Sequence, residues 1–351
     1  MIEIDGSYGE GGGQMVRSAL TLASLTGLPF RVCNIRAGRE SPGLKPQHLL
    51  SARAAANITG GVLKGAKPGS MTLEYLPGRL KPGRYSFDVG TAGSTGLIFQ
   101  TVLPALLFAG GPSSVSIRGG THVPWSPIPE YLEEVFLRAV RPMGLKVSSG
   151  MRRRGYYPAG GGSLEADISP VEKPLSPLLI KGRGRLKRIE VLSAVSNLPL
   201  SIAERQLKAA LSVLHEFSSI TEARALDAPS VGRGTSVFIL AEFESVRAGF
   251  TSLGARGKRA EAVGREAAES FLHYMKRGGA LDRHLSDQVV LFTALAGGTS
   301  FFTASEITRH LLTNIHVIGK FLPALFHVEG ALGDEGSVRV EGVSFQKPEN
   351  W

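Results

Sequence analysis

Apolar positions follow two rhythms along this chain: short runs that alternate or stay apolar, read as strands, and longer runs with a three-to-four-residue period, read as helices. From the N-terminus, IEI predicts a strand, QMVRSALTLASLTG a helix, PFRVCNIRAG a strand, KPQHLLSARAAANITGG a helix and SMTLEYL a further strand. The plan recurs with RYSFDV, GTAGSTGLIFQTVLPALLFAGG, SSVSIRGG, PIPEYLEEVFLRAVRPMG and LKVSSGMRRRGYYP. It is readable a third time in DQVVLFTALAGG, FFTASE, TRHLLTNIHVIGKFL and SVRVEGVSF, where RHLLTNIHVIGKF echoes the earlier QHLLSARAAANI. Between about 184 and 278 the text differs, with strand-like RIEVLSAVS and SVFILAEFE and helix-like LSIAERQLKAALSVLHEF and KRAEAVGREAAESFLHYMKRG. The expectation is an α/β protein in which residues 1–183 and 279–351 form a large domain of three repeats, interrupted by a small α/β domain at 184–278.

Composition narrows the classes. The 351 residues are 42% hydrophobic and 20% charged, enough for a sizeable core. One cysteine, Cys33, excludes disulfides and thiolate metal clusters within one chain, which suits a reducing, cytoplasmic setting. The opening MIEIDGSYGEGGGQ lacks the basic-then-apolar order of a secretory signal, and no uncharged apolar run approaches a membrane span, so no membrane partner is expected. The net charge of +10 points to a polyanionic partner such as nucleic acid. Basic clusters at MRRRGYYP and KGRGRLKR suit a phosphate backbone, with Tyr156 or Tyr157 available for stacking.

The chemistry-bearing stretches follow. GSYGEGGGQ (6–14) is a glycine-rich turn opening a helix, where backbone N–H groups can cradle phosphate. It is neither a completed G-x-G-x-x-G nor a Walker A loop. Glu10 inside such a cradle would repel a phosphate unless a divalent cation bridges the two, which makes it a candidate metal ligand. Arg17 lies on the same helical face as Gln14, and RAGRESPGLKPQH adds Arg36, Arg39, Lys45, Gln47 and His48. A second Gly/Ser/Thr-rich helix start leads to Gln100. In RHLSDQ, His284, Asp287 and Gln288 share a helical face, with Asp287 readable as a cap. Thr308 as N-cap puts His310 in the first turn of its helix, where the dipole favours a neutral, nucleophilic ring. No G-x-S-x-G elbow, no H-E-x-x-H and no K-x-D-G is present, since Glu3 stands where the last would need lysine before Asp5-Gly6.

These stretches, DGSYGEGGGQMVRSAL, IRAGRESPGLKPQHL, GSTGLIFQT, GGTHVPWSP, RGYYPAGGG, SNLPLSIAERQ, LSDQ and TRHLLTNI, taken in order, resemble RNA 3′-terminal phosphate cyclase over nearly the whole length. The resemblance implies a large domain of three βαβαββ-type units, akin to the enolpyruvate transferases, with a small inserted α/β domain. It implies ATP-dependent conversion of an RNA 3′-phosphate end to a 2′,3′-cyclic phosphate, through a covalent histidine–AMP adduct that lands on His310. It places Glu10 on Mg²⁺ or Mn²⁺, and Gln14, Arg17, Arg39, Gln47 and Gln100 along the phosphates. Asp287 would lie near the adenosine, with Pro127 a wall of that pocket and His284 and Gln288 beside it. Where similar enzymes often carry tyrosine, three residues before the aspartate, this chain has His284, so adenine stacking there is expected to differ. The alternatives are a non-catalytic RNA-binding scaffold of the ribosome-assembly kind, whose members lack the motif histidine, and an enolpyruvate transferase, suggested by fold kinship alone.

Overall fold

The computed structural model describes residues 1–347. The first unit runs β1 (Ile2–Asp5), α1 (Gly13–Thr26), β2 (Phe30–Cys33), α2 (Pro46–Thr59), β3 (Val62–Lys64) and β4 (Leu73–Leu76). Its sheet has the order β1-β2-β4-β3, with β1 and β2 parallel across the α1 crossover and the remaining pairs antiparallel. Both helices end on a left-handed glycine, Gly27 and Gly60, whose N–H returns to the carbonyl four residues back.

The second unit repeats this order. It contains β5 (Arg84–Asp88), α3 (Thr95–Leu107), β6 (Ser113–Gly119), a helical run and then β7 (Val147–Arg153) and β8 (Gly162–Ile168), in the sheet order β5-β6-β8-β7. The helical run starts as α4 (Pro129–Tyr131), widens into a π turn at Leu132–Leu137 and closes as α5 (Arg138–Val140). In β6 and β8 buried and part-exposed residues alternate, so one face of the sheet meets the core.

The third unit is split in sequence. Its first strand, β9 (Leu179–Ile180), is followed by a separate four-stranded sheet before the chain returns. That sheet comprises β10 (Leu186–Ser196), α6 (Leu200–Val213), β11 (Thr221–Asp227), β12 (Gly234–Phe243), β13 (Arg247–Leu253) and α7 (Ala260–Lys276), in the order β11-β10-β12-β13. The third unit then resumes with α8 (Leu285–Leu295), β14 (Gly297–Ala304), α9 (Arg309–Phe321), β15 (Leu325–Glu329) and β16 (Gly336–Val343). Its order β9-β14-β16-β15 matches the first two sheets, with β9 parallel to β14. The fold is therefore mixed α/β with a threefold internal repeat. Helices of different units pack on one another, α1 against α3 and α9 and α2 against α3, so the helix starts of the first and third units face a shared cleft.

Several cations of the basic clusters have partners within the fold. Arg154 is buried, its guanidinium donating to Glu130 Oε1 (2.6 Å) and Ser236 Oγ (2.8 Å), and Tyr156 is buried beside it. Tyr156 is thus not available for stacking, and only Tyr157 reaches solvent. In KGRGRLKR, Arg183 lies 4.2 Å over the Tyr274 ring, while Arg185 and Arg188 pair with glutamates. A charge run read from sequence cannot distinguish cations with partners across a sheet from cations free to bind phosphate.

Candidate active site

A cleft of about 1730 Å³ opens between the first, second and third units and the inserted sheet. Glu10, Gln14, Arg17, Arg39, Gln47, Gln100, Pro127, His284, Asp287, Gln288 and His310 all line it. Three helix starts converge there. Gly12 ends the glycine-rich loop in an extended conformation and opens α1, Lys45 precedes α2 with Pro46 at its first position, and Ser94 caps α3 by accepting from the Leu97 N–H (3.2 Å). The loop can lie against α9 because Gly9, at φ +62°, carries no Cβ, which would come within 2.5 Å of Thr313 Oγ1.

His310 sits at the second position of α9, whose N-cap Thr308 accepts from the Leu311 N–H at 3.0 Å. Its Nε2 stands 2.6 Å from Glu10 Oε2, while Glu10 Oε1 accepts from the Arg39 guanidinium at 2.7 Å. The His310 ring first, and then Arg39, hold the Glu10 carboxyl below the usual carboxylate range against the opposing effect of burial. Glu10 Oε2 and His310 Nδ1 are both buried and have no well-aligned hydrogen-bond partner. Arg17 projects into the cleft from α1, makes no side-chain ion pair among the described residues, and is pushed by burial down to about 10, so it stays charged at neutral pH. An unpaired guanidinium at a cluster of helix N-termini is a site for an anion.

Also from α1, Gln14 donates to Asp287 Oδ2 on α8 at 3.3 Å, and burial raises the Asp287 carboxyl to about 7. Asp287 Oδ1 and Gln288 Oε1 are also buried without partners. Asp287 is not a helix cap. The start of α8 is held instead by Asp282, whose Oδ1 accepts from the N–H groups of His284 (2.9 Å) and Leu285 (3.0 Å) and from the Tyr131 hydroxyl (2.8 Å). His284 is exposed at the N-cap position, and Pro127 packs its carbonyl against Gly96 at the start of α3.

Two residues escaped the sequence reading. Asp282 is the first, although a buried aspartate five residues before another could have been weighed as its cap. The second is Asn314, one turn beyond His310, which accepts from Ser18 Oγ (2.7 Å) on α1 and donates to the Asp287 carbonyl (2.8 Å) on α8. His48, grouped above with the phosphate-facing residues, is buried beneath the site: its Nδ1 accepts from the Lys45 N–H (3.1 Å), and burial, then the nearby cations, depress it to about 3, so the ring is neutral.

The family model described as RNA 3′-terminal phosphate cyclase matches residues 8–328. The chain belongs to that family. It is 44% identical over 351 residues to the RNA 3′-terminal phosphate cyclase of Staphylothermus marinus, covering 98% of each chain. It is 46% identical to that of Thermococcus kodakarensis, with 97% of this chain and 98% of the relative covered, and 40% identical to that of Pyrococcus furiosus, with 97% and 98% covered. Among solved structures, the enolpyruvyl transferase NikO of Streptomyces tendae overlays with a TM-score of 0.38 at 11% identity; the match spans 99% of this chain and half of that one. A likeness of that size carries no argument, and the threefold sheet order stands on its own. No described helix is long and apolar enough to cross a membrane.

Proposed function

We propose that this cyclase-family enzyme converts an RNA 3′-phosphate end to a 2′,3′-cyclic phosphate at the expense of ATP, with His310 carrying AMP as a covalent intermediate. The observation that carries this reading is the position of His310: a part-exposed imidazole at a capped helix start, in a cleft with an unpaired guanidinium and a carboxylate.

The chemistry divides into three displacements. Nδ1 is buried, so Nε2 is the nitrogen that reaches the ATP α-phosphorus. A lone pair on Nε2 would be repelled by Glu10 Oε2 at 2.6 Å, so Nε2 carries a proton in this contact; before attack that proton passes to solvent, the ring keeps its other proton on Nδ1, and Glu10 swings away. The N–P bond then forms as the bridging P–O bond breaks, and pyrophosphate leaves with the electron pair. An oxygen of the RNA 3′-phosphate next attacks the phosphorus of the adduct, the P–N bond breaks, and the imidazole recovers its electron pair. Finally the ribose 2′-OH attacks the RNA phosphorus, loses its proton to solvent and expels AMP. This last step requires little beyond positioning, because nucleophile and phosphorus belong to one nucleotide.

In this reading Arg17, Arg39, Gln14, Gln47 and Gln100 hold phosphate oxygens together with the N–H groups of the convergent helix starts. Asp287, Gln288, Pro127 and His284 line the adenosine side. Residues 184–278 act as an inserted domain whose β13 and α7 wall the cleft. Glu10 suits Mg²⁺ or Mn²⁺: its carboxylate faces the cleft beside the convergent helix starts, and its Oε2 becomes free for an ion once it leaves His310. One carboxylate plus substrate phosphates is a normal Mg²⁺ ligand set, and the bound ion would neutralise triphosphate charge. A reducing, cytoplasmic setting suits the single cysteine, Cys33.

The test is the intact mass of the protein before and after ATP with Mg²⁺ or Mn²⁺, RNA absent, followed by peptide mapping. A gain of one AMP on His310 is expected. Its absence under either metal, in a folded protein, would shift the weight to the RNA-binding scaffold.

A further inference from the structure

Trp125 has no role in the reading above. It lies in the GGTHVPWSP loop between β6 and α4, where its side chain is 97% exposed and its backbone is left-handed, at φ +63°. A bulky residue rarely adopts that conformation, so the position is strained as well as wet. The loop is nonetheless fixed. Ser126 Oγ donates to the Val123 carbonyl (3.0 Å), two prolines flank the indole, and the loop is rooted in buried His122, whose ring meets Thr121 Oγ1 (2.9 Å) and Glu130 Oε2 (3.2 Å). Exposed and strained together, the indole is held out for a ligand.

The cleft says what that ligand is. Trp125 lines the same cavity as His310, and about 1730 Å³ exceeds the roughly 300–1,000 Å³ of a single small-molecule pocket. Arg36, Arg39, Lys45, Arg283 and Arg309 also line it. A flat face to stack on an indole, joined to a chain of negative charge, is the chemistry of a nucleic-acid strand. We infer that Trp125 is the stacking platform for one of the last bases of the RNA end, holding the strand while its terminal phosphate lies among the arginines. This rests on the cyclase reading and adds to it a contact that positions RNA without touching the reacting atoms.

The experiment measures binding of short RNAs ending in a 3′-phosphate, without ATP, to the native protein, Trp125→Ala and Trp125→Phe. Each RNA is used intact and with the last or the penultimate base removed to leave an abasic sugar. Trp125→Ala should weaken intact RNA about five- to hundred-fold, and Trp125→Phe should keep most of the affinity. Removing the stacked base should weaken the native protein by the same factor and leave Trp125→Ala unchanged, and in turnover the alanine variant should raise KM for RNA more than it lowers kcat. Equal binding by native and alanine proteins, or losses that simply multiply, would overturn the stacking while leaving the cyclase reading intact. So would a dimer that Trp125→Ala converts to monomer, because the indole would then face a second copy of the chain. A native protein that neither binds nor cyclises such RNA would instead overturn the cyclase reading itself.

Discussion

Glu10 and His310, from opposite ends of the sequence, meet with Oε2 and Nε2 2.6 Å apart. The contact exists because α1 and α9 pack together and Gly9 lets the first loop lie on Thr313. It places a carboxylate beside the imidazole nitrogen that the proposed reaction uses.

His310→Ala should abolish AMP transfer to the protein, lowering the adduct rate by more than about a thousand-fold, since the nucleophile itself is gone. The fold should be indifferent. The His310 side chain is 45% exposed and Glu10 keeps Arg39, so the unfolding free energy should change by about 0.5 kcal/mol or less. Mass spectrometry and urea unfolding on the same preparation check both halves, and an alanine variant that still accepts AMP would remove His310 from the mechanism.

Glu10→Gln preserves size and one acceptor but removes the charge. The metal concentration giving half-maximal adduct formation should rise at least about tenfold, with part of the rate recovered at high metal. Loss of the part-exposed pair with Arg39 should cost under about 1 kcal/mol. A metal titration superimposable on the native curve would take Glu10 out of any metal site.

Asp287 gives a pH signature of definite sign. Its carboxyl titrates near 7 in the fold because burial disfavours the charge, whereas an unfolded aspartate titrates near 3.8. Between those values the folded chain holds a proton that the unfolded chain has lost, so stability falls as pH rises from about 4 to 7 and is level above. The full shift corresponds to at most about 4 kcal/mol, reduced where water reaches the carboxyl. Asp287→Asn, which keeps an acceptor for Gln14, should remove this decline, so the variant gains on the native protein from pH 4 to 7. Parallel stability curves for the two proteins over that range would contradict it.

What sequence alone disclosed divides along physical lines. Helices such as α1 and α9 were legible because burial on one side imposes their period, and His310 because Thr308 marks a helix start. The strands β3, β8, β9, β11, β13 and β15 were passed over. β9 has two residues and a partner, β14, on the far side of the inserted sheet, so no local pattern could reveal it. β8 alternates cleanly behind a glycine-rich turn, a pattern that is legible in GSLEADI. Asp282, not Asp287, caps α8, and spacing alone cannot say which of two aspartates turns back onto the backbone. The fate of Arg154 and Tyr156 depended on Glu130 and Ser236, which reach them only through the tertiary fold.

Gly13 and His48 offer a test of how the starts of α1 and α2 are held together. A Cβ at Gly13 would fall 1.9 Å from His48 Nε2, so the first residue of α1 rests directly on the neutral ring that also caps α2. Gly13→Ala should therefore destabilise by about 1–3 kcal/mol through overpacking, despite alanine's better helix propensity. His48→Ala removes the obstacle while losing the cap and leaving a cavity, so it is destabilising by itself. Combined, the two should interact: Gly13→Ala should cost about 1–2 kcal/mol less in the His48→Ala background than in the native one. Urea unfolding of the four proteins in the cycle measures that difference. Additivity within about 0.5 kcal/mol would mean that the two helix starts are not coupled through this contact.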